Sequence, residues 1–168
     1  INMTTITDGA NAMFALARAT GDARYADSAR RAGDWFLRHT YIDDEGLFYN
    51  IVDPETGTVW KDKSPHHKNV APSEIKITEV ARPNSEGCLY VAYFQAPEYC
   101  EVFLNVAEKK LARQSPEGPF MDFEPNDSKT GRVHPRFNIW LAEAQLDAYE
   151  LTGDRRFLDS ALKVARYM

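Results

Sequence analysis

Over residues 134–168 the apolar and polar positions separate into stripes. Ile139, Ala142, Leu146 and Tyr149 recur at three- and four-residue steps, and beside them Arg136, Trp140, Glu143 and Asp147 stand at i, i+4, i+7 and i+11. Both runs have the period of one helix face. The run then breaks at Thr152-Gly153-Asp154-Arg155-Arg156-Phe157, which predicts a helix ending on glycine, an aspartate N-cap and a second helix. The same punctuation occurs near the start: Thr20-Gly21-Asp22-Ala23-Arg24-Tyr25-Ala26-Asp27-Ser28-Ala29 matches Thr152 to Ala161. The register extends outward, aligning Ala12 with Ala144, Leu16 with Ala148, Trp35 with Tyr167 and Phe36 with Met168. Self-similarity at fixed spacing marks an array of one supersecondary unit, here a helical hairpin. Asp22 and Asp154 are read as caps, not as catalysts.

A fainter middle copy lies between them. Glu98 to Ala107 overlays Arg24 to Gly33, with Tyr99 on Tyr25, and Ala96-Pro97 stands where the other copies have Gly-Asp. Proline is well tolerated in a first helical turn, where its missing N–H has no intrahelical role. The connections repeat too: Gly46 to Val59 resembles Gly118 to Val133, each read as a short strand, a Pro/Asp/Gly turn and a second strand. The predicted fold is therefore all-α: a single domain over 1–168 of hairpins at about 3–39, 83–113 and 134–168, with short β-hairpins between them.

Composition narrows the partners. Twenty basic against 25 acidic residues give a net charge of −5, which disfavours a nucleic-acid or anionic-membrane surface. No apolar run is long enough for a bilayer. Cys88 and Cys100 do not make a disulfide framework and are read as two free thiols on the middle hairpin. No signal peptide is visible, but the chain opens on Ile1, so the compartment stays open between cytoplasm and periplasm. Ile1 precedes a helix almost at once, and the helix reaching Met168 has no stop signal. The chain is accordingly expected to be part of a larger ring, with further hairpins of that ring or a self-partner covering its exposed ends.

The pattern ending in Tyr149-Glu150-Leu151-Thr152-Gly153-Asp154-Arg155-Arg156-Phe157 resembles the repeat of the (α/α)6-toroid proteins, the six-hairpin glycosidase superfamily. The resemblance covers most of the chain, as about half of such a ring. It implies inner helices forming a barrel, outer helices surrounding it, and a carbohydrate cleft shaped by loops at one end. It also implies a choice of activities: glycoside hydrolase, N-acylglucosamine 2-epimerase-like isomerase or polysaccharide lyase. No signature specific to one subfamily is present, and one fold hosts several chemistries.

On an inner helix the polar stripe should face the lumen. Arg136, Trp140, Glu143 and Asp147 supply that stripe in the last hairpin; the register puts Asp8 and Asn11 on the same line in the first, and Arg82 and Ser85 in the middle one, with Glu86 one step round. Glycoside hydrolysis commonly uses two carboxyl groups, one protonated and one ionised. Asp8, Glu86 and Glu143 are the candidates for that pair, and His134 is a further candidate general base. Asn11, Arg82, Arg136, Trp140 and Asp147 are the candidate substrate-binding residues, with arginine suited to a sugar carboxylate and Trp140 to a pyranose face. The plainer alternatives are structural Arg–Glu pairs and aromatic core packing.

Three weaker signals complete the inventory. Asp122 to Asp127 resembles the opening of a calcium loop but lacks its glycine and closing glutamate; His66-His67 has no third ligand nearby. Glu79 alternates with apolar neighbours like an exposed strand residue. Neither metal nor cofactor is called for. The function these readings favour is a glycoside hydrolase on an oligosaccharide that can carry an acidic sugar. A sugar epimerase or a lyase on the same scaffold, and a non-catalytic helical-repeat binding module, stay open as alternatives.

Overall fold

The computed structural model describes residues 3–49, 53–58, 76–77, 98–121, 133 and 135–168. Helices take 72% of these, which places the protein in the all-α class. The elements are α1 (Met3–Thr20), α2 (Ala23–Thr40), β1 (Tyr41–Ile42), β2 (Leu47–Tyr49), β3 (Lys76–Ile77), α3 (Glu98–Arg113), α4 (Pro135–Thr152) and α5 (Arg155–Tyr167). Helices α1 and α2 pack as one hairpin and α4 and α5 as another, while α3 packs on both α4 and α5. No described helix is long and apolar enough to cross a membrane.

The two hairpin turns agree bond for bond. Gly21 and Gly153 have φ of 73° and 70°, a left-handed conformation in which a side chain is strained. Their N–H groups donate to Ala17 O at 2.8 Å and Tyr149 O at 2.7 Å. The threonine hydroxyls before them donate back to Leu16 O and Ala148 O, at 2.8 and 2.7 Å. Asp22 and Asp154 then cap, accepting from Arg24 N at 3.0 Å and Arg156 N at 2.9 Å. The same two arginines close on the carboxylates through their guanidinium groups, holding both carboxyls below the usual range. Nothing lies within 4 Å of a Cβ built on either glycine. Gly21→Ala and Gly153→Ala should therefore each cost about 1 kcal/mol from backbone strain alone, and equally, as read from urea unfolding midpoints.

Beyond the turns the second helix of each hairpin buries one stripe: Ala26, Ala29, Gly33, Phe36 and Thr40 on α2, and Phe157, Ser160, Ala161 and Val164 on α5. These are the steps of three and four that an amphipathic helix requires. One buried cluster joins the first hairpin to the rest, with Phe14, Phe36 and Phe48 meeting Tyr99 and Phe103 of α3, Ala148 of α4 and Phe157 of α5. A smaller one holds Phe120, Leu141 and Val164.

The β-structure differs from the expected succession of hairpins. β1, β2 and β3 form one antiparallel three-stranded sheet, with Phe48 opposite Tyr41 on one side and Ile77 on the other. Phe48 is fully buried and stacks on Phe36 at 4.9 Å. The sheet is tied to α3: Asn105 Nδ2 donates to the Tyr41 hydroxyl at 2.5 Å and to Asp43 O at 3.0 Å, and Arg113 donates to Glu45 O at 2.5 Å. The predicted first strand of the second connection, Gly118 to Met121, is a turn followed by irregular chain. The predicted second strand lies almost wholly outside the described residues, and among the described residues no strand pairs with this segment. Asn138 of α4 accepts from Phe120 N at 2.6 Å and donates to Phe120 O at 3.0 Å, so a side-chain amide stands in for a ladder.

Candidate functional site

Helix α4 positions the polar groups that the site requires. Its covered face is formed by Asn138, Leu141, Ala144, Gln145 and Ala148, all buried. That is not the stripe of Ile139, Ala142, Leu146 and Tyr149 expected from hydrophobicity, for Ile139 and Leu146 are exposed. The face is fixed by partners that periodicity does not reveal: Gln145 Nε2 donates to Ala107 O of α3 at 3.2 Å, and Asn138 bonds the main chain of Phe120. By the 3.6-residue period, Trp140, Glu143 and Asp147 lie beside that covered face rather than on it.

Along this line Trp140 is half-buried, Glu143 exposed and Asp147 half-buried. Trp140 lays part of its surface on the cluster of Phe120, Leu141 and Val164. Asp147 is the electrostatically distinctive group. Its carboxyl is pushed up to about 6, first by burial and then by repulsion from Glu150 and Glu143. Residues three and four apart on a helix bring their side chains within reach, so these three carboxyls form one coupled line. A carboxyl with that pKa is a protonated acid in mildly acidic solution and exchanges its proton near neutrality, which suits general acid–base work.

The shift has a consequence for stability. The folded-state pKa lies above the ordinary 3.8, so the folded protein holds the proton more tightly than the unfolded chain. Stability from this group is present below the unfolded pKa and falls as pH rises through the window from about 4 to about 6. Asp147→Asn, neutral throughout, should gain stability over the wild type by on the order of 1 kcal/mol at pH 7.5, once solvent screening at a half-exposed site is allowed for. The gain should vanish at pH 3.5. Urea unfolding at the two pH values measures it.

The other candidates have no described side chain. Asp8 and Asn11 are on α1 and Arg136 on the first turn of α4, with side chains outside the described set; Arg82, Glu86 and His134 lie outside the described residues altogether. So do Cys88, Glu79, His66, His67 and Asp122 to Asp127; Cys100 is half-buried, and burial raises its thiol. Among the described residues no group of three His, Cys, Asp or Glu is placed to hold a metal ion. Spacing alone points Asp147 to substrate binding; its raised pKa depends on burial. The signal was the spacing of Glu143, Asp147 and Glu150, which put three like charges on one side of a helix. Buried Lys110, Asn138 and Gln145 were missed as well, since no periodicity marks a polar residue for burial.

A polar hollow between α3 and α5, lined by Leu111, Arg156, Asp159, Ser160 and Lys163, is a weaker site. Its guanidinium is already engaged by Asp154 at 2.6 Å and Glu108 at 2.5 Å. Set beside protein-family models, curated proteins and solved structures, the chain matches none.

Proposed function

We propose that this protein is a carbohydrate-active enzyme, a glycoside hydrolase acting on an oligosaccharide that can carry an acidic sugar, on a scaffold that is part of an (α/α) toroid. The observation that carries the reading is the half-buried Asp147 carboxyl, held near pKa 6 beside Glu143 and Glu150 on α4. In a toroid that line of the helix would face the lumen. The arrangement of α3 against both helices of the α4–α5 hairpin supports the scaffold, since an outer helix of a ring lies between neighbouring pairs.

In the proposed mechanism Asp147 donates its proton to the leaving glycosidic oxygen. Glu143 and Glu150 are the negative neighbours that keep the proton on Asp147 until the bond begins to break. The second carboxyl must face the opposite side of the sugar. It comes from another helix, as Asp8 or Glu86. Trp140 supplies an aromatic face for a pyranose ring, Asn11 hydrogen-bonds its hydroxyls, Arg82 and Arg136 bind a sugar carboxylate, and His134 is a further candidate base.

The test is mass spectrometry of products from a panel of acidic and neutral oligosaccharides. Fragments carrying an added water are expected, and Asp147→Asn should lower their rate by at least about 100-fold, the usual scale for losing a general acid. The same variant should be the more stable protein above pH 6. Lost turnover with gained stability distinguishes a working acid from a structural carboxylate. Fragments lacking water would make the reaction a lyase elimination, and products of unchanged mass would rule out hydrolysis.

A further inference from the structure

Helices α3, α4 and α5 meet over polar groups as well as apolar ones. Gln145 of α4 donates through Nε2 to Ala107 O of α3 at 3.2 Å, and Gln114 of α3 donates through Nε2 to Ser160 O of α5 at 3.0 Å. Between those two anchor points, three residues after Ala107 and four before Gln114, α3 carries Lys110, which is 2% exposed. Gln145 and Ser160 are themselves 0% and 1% exposed. Each has one side-chain oxygen with no partner in the protein: Oε1 of Gln145 and Oγ of Ser160.

The two oxygens belong to one level of the α4–α5 hairpin. Gln145 stands eight residues before Gly153 and Ser160 seven after it, on helices that run back along each other from that turn. At 1.5 Å per residue these positions are about 12 and about 10.5 Å from the glycine. Both residues are bonded to α3, so both lie on the side of the hairpin that α3 covers. Local rearrangement does not satisfy them. Turning the Gln145 amide round would bring Oε1 against the carbonyl of Ala107, acceptor against acceptor. Nor does the Ser160 hydroxyl take the bond that its own helix offers. Thr20, Thr40 and Thr152 each donate to the carbonyl four residues back, at 2.8, 2.7 and 2.7 Å, whereas Ser160 makes no such bond to Arg156 O.

Buried polar atoms are paired with protein or with ordered water almost without exception. The hollow between α3 and α5, about 430 Å³ and lined by Leu111, Arg156, Asp159, Ser160 and Lys163, comes up to this serine and gives water a way in. We propose that the junction of α3, α4 and α5 is a binding site for one internal water. The Ser160 hydroxyl donates to the water oxygen, and the water donates to Gln145 Oε1. The water ties α4 to α5 beneath α3, completing the polar link that the two glutamines begin. The site is independent of the chemistry proposed above.

A crystal structure of the full chain, at a resolution that shows ordered water, should place one water within hydrogen-bonding distance of both Gln145 Oε1 and Ser160 Oγ. In solution, magnetic relaxation dispersion of the water nuclei counts long-lived internal waters. Ser160→Val fills the space with methyl groups and should show one fewer than the wild type, with circular dichroism confirming that the variant is folded. Ser160→Ala carries a second test that needs no larger side chain to fit. With the water bound, removing the hydroxyl breaks a bonded chain, and the urea midpoint should fall. An unpartnered hydroxyl would be removed with relief, and the midpoint would rise. A raised midpoint would overturn the site, as would an unchanged water count in folded Ser160→Val. So would a crystal structure with the junction dry, with water on one of the two oxygens only, or with the Ser160 hydroxyl turned onto Arg156 O.

Discussion

Replacing Asn138 by alanine should lower the free energy of unfolding by about 3 kcal/mol, from two buried main-chain groups losing their partners and a small cavity left behind. Asn138 is fully buried on α4. Its amide accepts from Phe120 N and donates to Phe120 O, so one side chain satisfies both polar groups of a residue that is itself buried. Truncation leaves an N–H and a C=O without water, and Phe120 loses the anchor that holds its ring on Leu141 and Val164. The midpoint of urea unfolding measures the loss. Asn138→Asp probes the two bonds separately: its carboxylate still accepts from Phe120 N but repels Phe120 O. Its penalty should shrink at low pH, where the protonated acid can donate again. A cost below about 1 kcal/mol for the alanine variant would mean that Phe120 finds other partners.

That amide also marks the limit of what the sequence could say. The hairpin turns were legible because the bonds that close them join residues within a few positions: Thr20, Gly21, Asp22 and Arg24 make the same local contacts as Thr152, Gly153, Asp154 and Arg156, to which Arg156 adds a distant pair with Glu108. Gly46 to Tyr49 and Gly118 to Met121 read alike for the same local reason, yet only the first forms a strand. Phe48 finds β1 and β3 for partners, whereas Phe120 finds Asn138, eighteen positions along the chain. Local propensity proposes an extended segment; the available neighbour decides whether it becomes a sheet.

The site was legible to a similar depth. Spacing put Trp140, Glu143 and Asp147 on one line of α4. The covered face could not be read from hydrophobicity, because the amides Asn138 and Gln145 are buried on it while Ile139 and Leu146 stay exposed. Nor does spacing alone raise a carboxyl pKa. Asp147 differs from exposed Glu143 by how much solvent it loses, and that is a property of packing.

Gly118→Ala should be costlier than alanine at either hairpin turn, by about 3 to 5 kcal/mol in total, because backbone strain and a hard clash add. Gly118 has φ of 123°, a conformation that side chains rarely adopt. A Cβ built there would lie 2.6 Å from the carbonyl oxygen of Lys163 and 3.0 Å from its carbonyl carbon. Those are backbone atoms of α5, which cannot rotate aside as a side chain would. The loop is pinned from its other side as well, since Gln114 Nε2 donates to Gly118 O at 2.6 Å and to Ser160 O at 3.0 Å. Accommodating one methyl group must therefore move the 114–120 segment off α5 and loosen Phe120 with it. Gly153→Ala meets open space and carries the strain alone. The two variants, compared in one denaturation series, separate clash from conformation. Equal losses would mean that the loop does not press on α5; a larger loss at Gly118, with the fluorescence of Trp140 altered in the folded state, would show that the loop holds the aromatic end of the site in place.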